Sequence, residues 1–209
     1  MQSSLSVVIK GAVEGVTDAA VFEKLVRHVG AIPGTVYGGK GKDNLRARVK
    51  GYNDASRFRP WFVIVDLNDE FPCPGLLRST WIPNQQTSMC FRVAVREMEA
   101  WLMADSVNLA AFLQIPVSLV PQSPEAEPKP KQSVVNLARQ SRNGIVRADM
   151  VPRPGSGRSQ GPAYTARIIE FVRDRWDPNL AAMVAPSLAR GIANLAAVTA
   201  SAAQAAGLI

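Results

Sequence analysis

Oxygen-bearing side chains gather in three short stretches of the chain: Val13-Glu14-Gly15-Val16-Thr17-Asp18, Asp66-Leu67-Asn68-Asp69 and Glu97-Met98-Glu99-Ala100-Trp101. Carboxylates that meet in space repel one another and need a cation. Mg2+ or Mn2+ suits them, because a hard divalent ion takes oxygen ligands and keeps several waters. Such an ion polarises a phosphate and lowers the pKa of an attacking water. Glu14 and Asp66 are therefore the candidate catalytic and metal-binding pair, with Asn68, Asp69 and Glu99 as further metal ligands. Each also has a plainer reading. A carboxylate such as Glu14 near a helix N-terminus gains roughly 0.3–1 kcal/mol from the helix dipole. Asp66 has the residue type that turns favour. On a helical wheel Glu99 borders the face formed by Met98, Trp101 and Leu102. Its carboxylate should be part-buried, needing either the metal or an arginine such as Arg92 or Arg96. Glu97 is expected in the first helical turn, as a dipole partner.

To bring Glu14 and Asp66 together, the chain needs strands that end beside one another. Residues 4–10, with Leu5, Val7, Val8 and Ile9, read as a short central strand, with Glu14 just past it. Thr17 is expected to cap a helix whose apolar positions Val21, Phe22, Leu25, Val26 and Val29 recur at helical spacing. Pro33-Gly34 reads as a turn before a strand at Thr35–Tyr37, and a basic helix is expected over 43–51. Trp61-Phe62-Val63-Ile64-Val65 is the clearest strand. Five apolar residues without alternation indicate burial on both faces, as in a parallel sheet. A fourth strand is expected over 89–95 and helices over 97–104, from Asp105 or Ser106, over 132–140, over 163–176 and from about Pro186. The order is that of an α/β protein with a small, mostly parallel sheet flanked by helices and a helical C-terminal extension. We expect one domain overall: an α/β core over 1–120 and a basic, mostly helical extension over 121–209 packed on it.

The charge supports a polyanionic partner. Residues 131–209 hold ten Lys and Arg against four Asp and Glu, accounting for +6 of the net +7. Lys40 to Arg59 holds seven basic residues and two acidic ones. Basic stretches on either side of an acidic centre suit a nucleic acid with a metal at the scissile bond. Arg153 and Arg158 flank Pro154-Gly155-Ser156-Gly157, whose glycines let backbone amides approach an anion. Lys40 and Lys42 in Gly38-Gly39-Lys40-Gly41-Lys42 are further phosphate ligands, although the loop lacks Walker A spacing. Lys131 belongs to the same basic set.

Other classes are disfavoured. Composition, with 47% hydrophobic and 20% charged residues, is globular. No apolar run nears the roughly 18 residues needed to cross a bilayer. The start of the chain does not read as a signal peptide, so a cytoplasmic location is expected. Two isolated cysteines, Cys73 and Cys90, make neither a disulfide framework nor a zinc site. His28 is the sole histidine, so no Ser/His/Asp or Cys/His nucleophile system is indicated. Trp61 and Trp101 are expected in the core.

Glu14-Gly15 after one strand and Asp66 after a later one resemble the Toprim domain of topoisomerases, bacterial primases and overcoming-lysogenization-defect nucleases. The fuller string is similar to a bacterial family of unknown function with a Toprim-like fold (domain of unknown function forty-two seventy-six). Its matching stretches are Val13 to Asp18, Gly38-Gly39-Lys40, Val65-Asp66, Glu97 to Asp105, Pro128-Lys129, Gly161-Pro162 and Pro186 to Arg190. The resemblance implies acid–base or metal work for Glu14 and Mg2+ binding by Asp66. The second Asp of the Toprim pair falls on Asn68, an amide without charge, with Asp69 next in the turn. It further implies a metal-dependent nuclease, in bacterial phage defence, with an ATPase as partner protein. The alternative is a non-catalytic Toprim-like subunit that binds nucleic acid or that ATPase.

Overall fold

Four strands form one sheet: β1 (Val8–Val13), β2 (Ile32–Gly38), β3 (Trp61–Asp66) and β4 (Met89–Ala94). All neighbours pair parallel, in the order β2-β1-β3-β4. The computed structural model describes residues 7–208. An α/β architecture with a parallel sheet is thus what the chain adopts. By contacts it divides into two compact units, one of residues 1–94 with 189–209 and one of residues 95–188.

The first unit is built on the sheet. β3 is buried from Trp61 to Val65, matching its unbroken apolar run. β1 begins later than expected and runs to Val13; Leu5 lies outside the described residues. The run of small residues hid this. Gly11 and Ala12 read weakly as strand, yet a Cβ on Gly11 would stand 2.6 Å from the Phe22 ring, so only glycine lets the helix above approach. Pro33 and Gly34 lie inside β2, which pairs only with β1. An edge strand tolerates proline because one side of its backbone is unpaired.

Three helices lie in this unit between strands. α1 (Val16–His28) buries Val21, Phe22, Leu25 and Val26. α2 (Lys42–Ala55) is longer than expected at both ends. α3 (Pro74–Trp81) was not foreseen; it opens on a proline at its first position and buries Leu77 and Trp81 one turn apart. Tyr37, Trp61 and Tyr52 form a stack with ring centroids 5.4 and 4.9 Å apart.

The second unit is helical: α4 (Glu99–Ala104), α5 (Ser106–Leu113), α6 (Pro130–Arg139), α7 (Gly144–Met150), α8 (Tyr164–Asp174) and α9 (Pro178–Val184). Sequence reading missed α7 and α9, which are two turns each. Its core holds Trp101, Phe171 and Trp176, all fully buried. The last helix, α10 (Pro186–Ala205), starts where expected and carries the chain back into the first unit. Among the described residues, no helix is long and apolar enough to cross a membrane.

Candidate active site

β1 leads to β2 on one side, and the chain then returns past β1 to place β3 on the other. Strand order therefore reverses between β1 and β3, and ligands of open α/β sheets gather at the carboxyl ends of strands at such a point. Glu14 directly follows β1, and Asp66 closes β3, with Ala12 and Val63 as paired neighbours below them. The Glu14 Oε1 accepts a hydrogen bond from the Asp66 backbone N–H at 2.8 Å, across 52 residues of sequence. Both residues are half-buried. The Glu14 side chain thus reaches the Asp66 backbone at the sheet rim.

Glycines hold the Glu14 segment in place. A Cβ on Gly38 would stand 2.0 Å from the Val13 carbonyl oxygen, and its φ of 106° is one that only glycine adopts readily. The amides of Gly39 and Gly41 donate to the carbonyls of Val13 (3.2 Å) and Glu14 (3.0 Å). The glycine loop thus fastens the catalytic candidate's backbone, and two of its amides are engaged there and unavailable to a phosphate. Lys40 is exposed at its tip. α1 starts at Val16 without a Thr17 cap, because Asp18 supplies the local partner: its Oδ2 accepts from the Gly15 N–H at 2.8 Å. Asp18 has a structural role that Gly15-Val16-Thr17-Asp18 signals by its cap-to-third-position spacing.

The turn after β3 is braced by Lys42. Its ammonium donates to the carbonyls of Asp66 (2.7 Å) and Leu67 (3.3 Å) and lies 2.9 Å from Glu70 Oε2. An ammonium has three N–H donors, and three oxygens occupy them. Lys42, expected as a phosphate ligand, instead clamps the segment that carries Asp66. It also sits 5.9 Å from the Trp81 ring, at the same distance as the Arg46 guanidinium. Asn68 has φ 52°, a left-handed backbone that Asn tolerates better than most side chains. Asp69 is exposed in the same turn.

Glu99 belongs to the second unit, where it has other company. Only 1% exposed, it accepts from the Tyr164 hydroxyl at 3.3 Å and lies 3.6 Å from the Lys131 ammonium. Burial, and then the Glu99 charge, push the Tyr164 hydroxyl well above its ordinary value, so it stays protonated and donates. Lys131, expected at a phosphate, faces this carboxylate. Glu97 lies before α4 and caps a different helix from the one expected: its Oε2 accepts from the Lys131 backbone N–H at 2.7 Å, in the first turn of α6. Asp105 caps α5 and its Oδ2 takes the Asp177 N–H at 2.8 Å. The Trp101 indole N–H donates to Ser187 Oγ at 2.7 Å. The stretch Glu97–Asp105 is thus the packing hub of the second unit. Arg153 and Arg158 are exposed in the segment after α7.

No family model, curated protein or solved structure matches this chain. Its chemistry must be read from its own side chains. Glu14 and Asp66 bring one carboxylate each to the carboxyl ends of neighbouring strands. Among the described residues, no group of three or more His, Cys, Asp or Glu side chains is placed to enclose a metal. Such a donor set fits Mg2+, which is commonly held by one or two carboxylates plus waters and substrate phosphates. It does not fit a closed, protein-only cage.

Proposed function

We propose that the chain is a phosphodiesterase dependent on Mg2+ or Mn2+ and acting on nucleic acid. The observation that carries this reading is the Glu14–Asp66 contact at the point where strand order reverses. Glu14 and Asp66 would hold the ion, with Asp69 within the same turn. When bound, the ion supplies charge stabilisation at the phosphate and a more acidic water. The Asp66 N–H orients the Glu14 carboxylate. Lys42 fixes the Asp66 carbonyl and neutralises Glu70, which limits repulsion between the acids of the turn. Lys40 supplies an exposed cation on the neighbouring loop, and the surplus of +7 favours a polyanion.

A second reading, a nucleic-acid-binding subunit without catalysis, is favoured by Asn68. Its amide carries no negative charge, which weakens what this turn offers a cation.

Purified protein incubated with plasmid, single-stranded DNA and RNA separates the two. Cleavage that needs Mg2+ or Mn2+, stops with chelator and is lost in Glu14→Gln and Asp66→Asn supports the enzyme. Undiminished cleavage in both variants removes this site, and salt-sensitive binding without cleavage favours the subunit.

A further inference from the structure

In the second unit, the end of α6, the exposed side of α7 and the segment after it line an open pocket of about 330 Å³. Arg139, Arg147 and Arg153 line it, over an apolar floor that includes Val151, Pro152 and Pro154. No carboxylate lines the pocket. The acid of α7 is engaged elsewhere: Asp149 Oδ2 accepts from Arg167 Nε at 2.8 Å, and Arg167 Nη1 reaches Glu170 at 2.8 Å. Arg139 donates to the neutral amide oxygen of Asn136 at 3.1 Å, and Arg147 to the Ser141 carbonyl. Among the described residues, none of the three lining arginines takes part in an ion pair. Each guanidinium carries five N–H donors, so each keeps several for a ligand.

The backbone that presents Arg153 is restrained. Proline stands on both sides of it, fixing φ at each and biasing Arg153 to extended conformations. The base of the segment is pinned where Gly161 N–H donates to the Met150 carbonyl at 3.0 Å and Ala163 N–H to Asp149 at 2.9 Å. A Cβ on Gly161 would stand 2.4 Å from the Asp149 oxygen, so only glycine closes this base. Restraint of this kind lowers the ordering cost of binding.

The geometry points to a phosphate-binding site formed by Arg139, Arg147 and Arg153, which takes a phosphate of a nucleic-acid strand. Three planar forks without a counter-charge match a tetrahedral oxyanion, whereas one carboxylate engages one fork. The assignment deepens the proposed function, on whose choice of nucleic acid it rests, by naming residues that bind a phosphate of the strand. It concerns binding alone and includes no chemical step.

The test measures binding of a labelled single-stranded oligonucleotide to the full chain by fluorescence anisotropy. Chelator is present, so the outcome does not depend on cleavage. Arg139→Gln/Arg153→Gln changes two exposed side chains and is checked for folding by circular dichroism. It is expected to weaken binding about tenfold or more, since hydrogen bonds to charged groups are among the stronger ones. The slope of log affinity against log salt should fall by about 0.7, the value for one lost phosphate contact on a single strand. Arg27→Gln/Arg57→Gln, which removes the same charge at the amino-terminal edge of the sheet, should leave most of the affinity. Equal losses in the two double variants overturn the site. Oligonucleotides with 5′-phosphate and 5′-hydroxyl ends distinguish a terminal from an internal phosphate, and either preference supports it. If inorganic phosphate stabilises only the wild type while oligonucleotide binding is unchanged in the pocket variant, the strand assignment fails.

Discussion

Replacing Glu14 with Gln and with Ala separates the structural from the chemical work of this side chain. In the native protein, Glu14 Oε1 takes the half-buried Asp66 N–H at 2.8 Å. Alanine removes the acceptor, and an unsatisfied buried donor costs about 1–3 kcal/mol. At the middle of that range, about 2 kcal/mol, and with each 1 kcal/mol moving Tm by roughly 2–4 °C for a chain of this size, Glu14→Ala should lower Tm by about 4–8 °C. Glutamine keeps an acceptor oxygen and loses only the charge. Its penalty should be about half as large, roughly 1 kcal/mol. Activity should not follow this order. If the carboxylate serves as a metal ligand or proton acceptor, both variants should lose cleavage by about a hundredfold or more. Thermal unfolding followed by circular dichroism, with and without Mg2+, gives the first quantity, and metal-dependent oligonucleotide cleavage the second. Equal Tm values for Gln and Ala refute the hydrogen-bond argument. Wild-type cleavage by the Gln variant refutes the catalytic one.

Other expectations concern the surrounding turns and core. Asn68→Gly should fold with little loss, whereas Asn68→Val should cost about 1–2 kcal/mol in urea unfolding, because β-branched residues resist the left-handed backbone. Asn68→Asp adds a carboxylate and should lower the Mg2+ concentration for half-maximal cleavage; an unchanged or higher one counts against a metal at this turn. Gly38→Ala places a methyl against the Val13 carbonyl and should cost about 2–3 kcal/mol, together with activity, since Glu14 is the next residue. Burial pushes the Cys90 thiol up to about 12 from an ordinary 9.0, with Arg92 opposing the shift. Stability from this group is present below pH 9 and lost as pH rises toward 12, by about 1.4 kcal/mol per pH unit. Cys90→Ala should flatten the fall in unfolding free energy between pH 9 and 10, and an identical slope would contradict it.

Much of the first unit was legible because strand signals there are local. Five consecutive apolar residues can hardly avoid being a buried strand, and an acid that closes such a run must emerge at its end. Spacing along α1 likewise exposes its buried face. Short helices such as α3, α7 and α9 lack enough turns to establish a period, so composition alone does not reveal them. β1 is shifted because Gly11 serves close approach to Phe22 and not strand propensity. The charges of the second unit were misread for another reason. Lys131 and Glu99 look like surface or ligand candidates until folding supplies Tyr164, 65 residues from Glu99.

What the amino-acid order determined by itself was the kind of protein: a parallel sheet with acids at strand ends, set in a basic chain. Only the tertiary structure decided which charges are engaged. Lys42 became a clamp because three oxygens of the turn after β3 converge on it. Arg139, Arg147 and Arg153 line one pocket because α6, α7 and the following segment converge. Periodicity reports which face of an element is buried. It carries no information on which distant side chain will stand opposite, and that juxtaposition sets the electrostatics of a site.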